Sequence, residues 1–330
     1  MQKTTGIGIL ISIIFLFLTF RNFNYNEFAT AMQNVRYYYI APAVIVYLFS
    51  FVLRGMRWRL LLNSVRNVPF SSCFSIVFIG FMANALLPMR LGEFVRAYVM
   101  GKKENISKIA SLSSIILERV FDGIIIVFFL IILVLIYPFP NWIRNLGNIT
   151  SIIFIGGLIF LYSLVNQKKR VLEFIEKCLS FLSNDFRLKI NSFLDRFILG
   201  LEMLKNKYQS ITVFVLSILV WCVEIIVYYL LLLALNIHIQ TLFYAAALTM
   251  IVVNFAIMIP SSPGNIGTFH YFCILALSIF GVSKNTAMAY SIVMFTLMYI
   301  SVVVPGMFFM WKKGFSINKL KSSAKGDLNE

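Results

Sequence analysis

Three ionisable side chains stand where a chain this apolar should not tolerate them. Glu118, Arg119 and Asp122 lie within the long stretch 107–137. On a helix, Glu118 and Asp122 fall one turn apart on one face, and Arg119 reaches Asp122 at i+3. A charge at the centre of a bilayer costs about 2.5–3.5 kcal/mol on insertion scales, so such groups pair with one another and face a cavity. Two chemistries suit the trio: a brace between helices, or an arginine held ready for an anion by acids that can also carry protons. Glu224, in the middle of the apolar run 211–235, is the other conspicuous acid. Arg54, Arg57, Arg59, Arg90, Glu93 and Arg96 sit at the ends of apolar runs, where long side chains can snorkel to water. The first three read as topology anchors; Arg90, Glu93 and Arg96 are candidates for contact with a ligand. His270 is either a packing residue or a proton carrier.

The elements that position these residues are membrane spans. Of the 330 residues, 60% are hydrophobic and 13% charged, with a mean hydropathy of +0.87. Soluble domains carry about 25% charged residues, so an ordinary soluble enzyme is excluded. Runs long enough to cross about 30 Å of hydrocarbon include Phe121–Tyr137, Ile149–Val165, Val213–Leu235 and Ala287–Trp311. The net charge of +16 is explained by basic loops kept on the cytoplasmic side, not by nucleic acid, since no basic domain stands apart from the spans. Cys73, Cys178, Cys222 and Cys273 form no CxxC pair, so neither a disulfide framework nor a metal site is expected. The run Gly6–Phe20 reads as a retained first span rather than a signal peptide, because the Ala29-Thr-Ala31 sequence lies well beyond it.

With the N-terminus inside, only Arg21, Arg36, Arg144 and Lys284 fall on outer loops, Arg119 is intramembrane, and the other 24 basic residues are inside. Both termini are therefore expected in the cytoplasm and the protein in the cell membrane. The stretch Pro69–Met100 must start and end on the inner side, broken around Asn84–Gly92. Thr241–Phe280 must start and end outside, broken at Pro260–Gly267. The expected fold is all-α, with about six full spans and two broken re-entrant hairpins entering from opposite faces. The segment 167–208, with nine basic and five acidic residues and apolar Val171, Leu172, Ile175, Leu179 and Leu182, reads as amphipathic helix on the cytoplasmic surface.

The two breaks share a pattern. Pro88, Leu91, Gly92 and Phe94 match Pro263, Ile266, Gly267 and Phe269 in spacing, with Gly264 inside the second. Each break has a span before and a span after, so residues 38–137 and 209–311 form an inverted-topology repeat, and 312–330 is a basic tail. Paired breaks of this kind point to a transporter's binding site. Broken helices survive only where protein or a water-filled cavity surrounds them. Helices restarting near Gly92 and Gly267 would offer free N–H groups to an anion. The candidate backbone set is Asn84, Pro88, Gly92, Pro260, Pro263, Gly264 and Gly267. Ordinary loops between short spans are the alternative.

Arg54-Gly-Met-Arg57-Trp58-Arg59, Asn84-Ala-Leu-Leu-Pro88-Met-Arg-Leu-Gly92-Glu93-Phe-Val-Arg96, Glu118-Arg119-Val-Phe-Asp122 and Pro260–Gly267 occur in one order. In this the chain resembles the transmembrane region of the lysylphosphatidylglycerol synthase family, from about Tyr38 to Trp311. The resemblance implies a flippase-like module related to the lipid-moving half of the multiple peptide resistance factor. That protein also has a soluble aminoacyltransferase domain, and none is expected here after Trp311. Many members carry an acid where this chain has His270, which bears on the coupling chemistry.

Together these readings predict a transporter for an anionic or phosphate-bearing lipid: a phospholipid, its aminoacyl form or a polyprenyl-phosphate carrier. Arg90, Arg96 and Arg119 would balance the phosphate, while Glu118, Asp122 or Glu224 would order the arginines or carry protons. No GxxxxGK[ST] loop occurs, so a gradient or partner would drive transport. No cofactor is expected. The alternatives are a non-transporting partner of a glycosyltransferase or lipid synthase, and an intramembrane lipid-phosphate enzyme; with only His238 and His270 as histidines, a hydrolytic constellation is hard to assemble.

Overall fold

The computed structural model describes residues 2–87, 91–167, 184–259 and 261–315, and among them the regular structure is helical throughout. The helices are α1 (Gln2–Phe20), α2 (Tyr25–Gln33), α3 (Ile40–Leu62), α4 (Phe70–Leu86), α5 (Gly92–Glu104), α6 (Lys108–Ile136) and α7 (Asn141–Asn166). Then follow α8 (Asn184–Leu201), α9 (Lys207–Ala234), α10 (Leu242–Ala256), α11 (Thr268–Ser278) and α12 (Lys284–Lys312). Local chemistry sets the starts of the long helices. Ser107, Asn206 and Ser283 each accept a hydrogen bond from the backbone N–H three residues on, at 3.3, 3.2 and 3.3 Å, satisfying a donor that lipid could not. At the other end, Asn105 takes the left-handed conformation (φ 51°) that closes α5.

Five helical segments are long and apolar enough to cross a bilayer: Tyr37–Leu62, Lys108–Ile136, Asn141–Asn166, Lys207–Ala234 and Lys284–Lys312. A sixth candidate is bent, because α1 and α2 meet at 89°. This is a polytopic helical membrane bundle of the expected kind. The two expected breaks are present. Helices α4 and α5 form one hairpin about residues 87–91; α10 and α11 form the other about residues 257–267.

Packing follows the expected repeat. α3 packs on α4, α4 on α5 and α5 on α6; in the second half α9 packs on α10, α10 on α11 and α11 on α12. The two halves join most extensively through α3 and α9. These run antiparallel: the Arg36 N–H donates to the Ala234 carbonyl (2.7 Å), while Arg57 donates to Ser217 (2.9 Å). A two-fold relation between antiparallel helices has its axis across them, as an inverted repeat requires. The symmetry is imperfect. α4 packs closely along α12, whereas its counterpart contact, α6 with α10, is slight.

Two helices outside the repeats pack against them. α8 docks on α6, with Gly200 so close to Ala110 and Ser113 that a methyl group would collide, and with Ile198 and Leu201 buried. The described part of the amphipathic segment thus lays one face on the bundle and leaves Phe193, Asp195, Arg196 and Leu199 exposed, and its apolar positions 171–182 lie outside the described residues. α1 lies outside both repeats yet packs on α11, where Phe15 meets Tyr271 and Phe272 at ring distances of 5.0 and 5.3 Å.

Candidate functional site

The site is built where the hairpin tips meet. A side chain at Gly264, in the second tip, would stand 3.3 Å from the Ala85 carbonyl of the first. Close packing makes the first hairpin. The Gly92 N–H donates to Asn84 Oδ1 at 2.8 Å, and a methyl group on Gly92 would strike the Gly80 carbonyl. The expected free N–H at the start of α5 is thus already capped from within the hairpin. The second tip is held from outside by α1: Ser262 N–H donates to Ser12 Oγ (2.8 Å), and Gly267, at φ +94°, presses on the Ser12 carbonyl. Only glycine adopts that conformation without strain.

Behind the tips lies a chain of buried ion pairs. Arg96 grips both oxygens of Glu118 at 3.1 and 3.0 Å and stacks on the Trp58 ring at 4.2 Å. Arg57 pairs with Asp122 at 2.5 and 3.2 Å and with Glu118 at 3.4 Å. Trp221 Nε1 donates to Asp122 at 3.0 Å, and Ser217 accepts from Arg57. Arg119 bonds to Glu118 and lies 3.4 Å from Asp122 and 3.7 Å from Glu93. Arg54 pairs with Glu224 at 2.7 Å. Four arginines (54, 57, 96, 119) thus face four carboxylates (93, 118, 122, 224), and the set is electroneutral.

Arg54, Arg57 and Arg96 are 4%, 0% and 1% exposed, so they do not snorkel. Their positions at the ends of apolar runs gave the wrong surroundings, because the third dimension buries them against α6 and α9. Arg59 alone of the first trio is exposed, near Asn67.

A cleft of about 930 Å³, including its open mouth, lies between the hairpin tips and the central helices. Its polar lining comes from Arg54 and Tyr47 on α3, Asn84 on α4, Glu93 on α5 and Arg119 on α6. Glu224, Tyr228 and Asn254 complete it from the second half, with Gly264 and Asn265 at the tip. Of the expected residues, the structure brings Asn84, Glu93, Arg119, Glu224 and Gly264 to one cavity. Arg96, Glu118 and Asp122 lie behind its wall and act through the residues that line it. His270 sits off the cavity, with Nδ1 3.0 Å from Ser291 Oγ and its ring against Phe295. Pro263 begins the short 3-10 turn of the second tip. Pro88, Arg90 and Pro260 lie outside the described residues.

Sequence reasoning missed Arg54 as a cavity residue, together with Tyr47, Tyr228 and Asn254. A signal existed. Tyr47, Ser50, Arg54 and Arg57 recur at three- and four-residue spacing, one polar stripe along α3. Several polar atoms on this wall have no hydrogen-bond partner: Glu224 Oε2, Tyr228 Oη and the Nε atoms of Arg54 and Arg119, the last with Glu93 at 3.7 Å. Buried polar groups are normally hydrogen-bonded, so four orphans around one cavity mark a place where a ligand or water fits.

The comparisons with known proteins agree with this architecture. The family described as the lysylphosphatidylglycerol synthase TM region matches residues 6–306. A UPF0104 membrane protein of Methanocaldococcus jannaschii is 24% identical over 311 residues, covering 90% of this chain and 91% of that protein. A UPF0104 membrane protein of Methanothermobacter thermautotrophicus is 26% identical over 309 residues, 89% of this chain and 90% of its own. The glycosyltransferase AglD of Haloferax volcanii is 29% identical over 122 residues, 37% of this chain and 20% of that protein. No solved structure matches. The chain is a multi-pass membrane protein and belongs to the lysylphosphatidylglycerol synthase TM region family.

Proposed function

We propose that the protein is a flippase-like lipid transporter, and that the cleft between the two hairpin tips receives the phosphate-bearing head group of a membrane lipid. One observation carries this reading. Arg54 and Arg119, on α3 and α6, line a cavity bounded by both repeats, and each has an Nε with no hydrogen-bond partner, that of Arg119 having only Glu93 at 3.7 Å. A guanidinium is suited to a phosphate oxygen in a dry site. Rocking of one repeat against the other would carry such a cleft from one face to the other. The locked groups behind the wall, Arg57, Arg96, Glu118 and Asp122, hold Arg119 in place. On this reading the protein catalyses no covalent step, resides in the cell membrane with both termini inside, and has anionic lipids as its partners.

The experiment is lipid translocation in proteoliposomes containing fluorescent phosphatidylglycerol or a polyprenyl-phosphate analogue. Wild type should move at least one of them. Arg119→Ala should lose most of the rate while remaining folded, and the exposed Arg59→Ala should not. Well-folded wild type that moves neither lipid would end the proposal.

The match to part of AglD favours a second reading, in which the chain is the membrane partner of a glycosyltransferase. Co-purification of a native glycosyltransferase activity with tagged protein that moves no lipid would support it.

A further inference from the structure

We infer that the cleft takes up one proton with each anionic head group, and that Glu224 Oε2 is the atom that receives it. This rests on the head-group reading above and adds the coupling ion. The argument starts from charge. The network is electroneutral, so an anion entering the cleft would leave the site negative in a low-dielectric interior. One carboxylate must be neutralised for the anion to stay.

The geometry selects which. Glu118 is held by three arginines and Asp122 by two plus the Trp221 N–H, so neither has a free oxygen. Glu93 is partly exposed, its side chain 24% accessible, so water can solvate its charge. Glu224 is 2% exposed. Its Oε1 meets Arg54 at 2.7 Å and Ser50 at 3.5 Å, while Oε2 is buried with no hydrogen-bond partner, on a residue that lines the cleft. From α3 it faces Arg54 and Tyr47, and from its own helix Tyr228, whose Oη is also unpartnered. Arg119 and Glu93 stand in the same cleft on α6 and α5; α10 offers the uncharged Asn254, and α12 offers Tyr299. Arg54 is the only basic group paired with it among the described residues.

The exchange balances without any redox change. A proton from water bonds to Oε2 and the ion pair becomes a neutral acid beside a free Arg54. The head-group phosphate then takes the place the carboxylate charge held at Arg54. Linkage makes the effect reciprocal: protonation favours the anion, and the anion favours protonation.

Calorimetry of detergent-solubilised protein with dioctanoyl phosphatidylglycerol, repeated in buffers of different ionisation enthalpy, counts the protons. Wild type should take up about one proton per lipid, with affinity falling as the pH rises by at most about tenfold per pH unit. Glu224→Gln should bind without uptake and with a flat pH profile; Glu202→Gln, at a partly exposed acid outside the network, should keep uptake and pH dependence. Lipid binding without uptake in wild type, or uptake surviving Glu224→Gln, overturns the inference, as does uptake lost in Glu202→Gln. Failure of folded wild type to bind the lipid at any pH removes the head-group reading and this inference with it. Should Glu224→Gln not fold, infrared difference spectra of wild type decide. Lipid binding must then bring in a protonated-carboxyl C=O band, and its absence refutes the assignment.

Discussion

Neutralising Glu118 should damage the fold more than neutralising Asp122, one turn along the same helix, and the structure says why. Glu118→Gln leaves Arg96, 1% exposed, with no carboxylate, because Glu118 is the one acid it touches among the described residues. Arg57 and Arg119 keep Asp122. Stranding one buried charge costs about 3–5 kcal/mol. Asp122→Asn strands none, since Arg57 keeps Glu118 at 3.4 Å and Arg119 keeps both Glu118 and Glu93. It should cost about 1–3 kcal/mol, the value of weakened charged hydrogen bonds. The sharper test is the pair. Arg96→Met with Glu118→Gln removes one charge of each sign, so the double variant should be less damaged than the sum of the singles by about 1–3 kcal/mol. Reversible unfolding in mixed micelles, followed through Trp58 and Trp221 fluorescence, reads each value, because the Trp221 indole bonds to Asp122 and the Trp58 ring lies under Arg96. Glu118→Gln within about 1 kcal/mol of wild type, or strict additivity in the pair, would refute the claim that these charges form one balanced set.

Three further outcomes follow from single contacts. Asn84→Ala uncaps the Gly92 N–H and should lower stability by about 0.5–2 kcal/mol, with a larger fall in translocation than in stability; unchanged transport would remove Asn84 from the site. Gly267→Ala forces a side chain into φ +94° against the Ser12 carbonyl, so it should lower the melting temperature and speed proteolysis of the loop 257–267, as mass mapping would show. On α2, which has no buried residues and lies beyond the end of the first apolar run at Phe20, hydrogen bonds from Ser283 and then Asn285 hold the Glu27 carboxyl below its ordinary value of 4.5. A lowered folded value means stabilisation present above the unfolded value and lost as the pH falls through the folded one. Below about pH 4.5, hydrogen exchange across α2 should therefore rise, and Glu27→Gln should flatten that dependence.

The backbone plan was legible because lipid leaves few choices: long apolar runs, basic loops and two Gly/Pro breaks nearly dictate spans and hairpins. Asn84, Glu93, Arg119, Glu224 and Gly264 were found for that reason, being polar or broken positions inside apolar segments. The errors came from distance along the chain. Arg54 and Arg57 looked like border anchors because residues 54–59 end an apolar run, yet their partners, Glu224 and Asp122, lie far away in sequence. Nothing local marks which of several arginines will be locked and which will face a cavity. Arg96 was expected to meet the ligand and is instead paired with Glu118, whereas Arg54 lines the cleft. Likewise the capping of Gly92 by Asn84 needs a hairpin closed tightly enough for an eight-residue separation to become a hydrogen bond.

The central claim is that a lipid head group enters the cleft between the hairpin tips. A phosphatidylglycerol analogue with a photoreactive diazirine on its head group, activated in proteoliposomes and mapped by peptide mass spectrometry, tests it most directly. The account predicts adducts on residues lining the cleft from both repeats, around 81–93 and 253–269, suppressed by excess unlabelled lipid and by Arg119→Ala. Adducts confined to lipid-facing positions such as Ile152 and Phe160 on α7, with no competition, would contradict it.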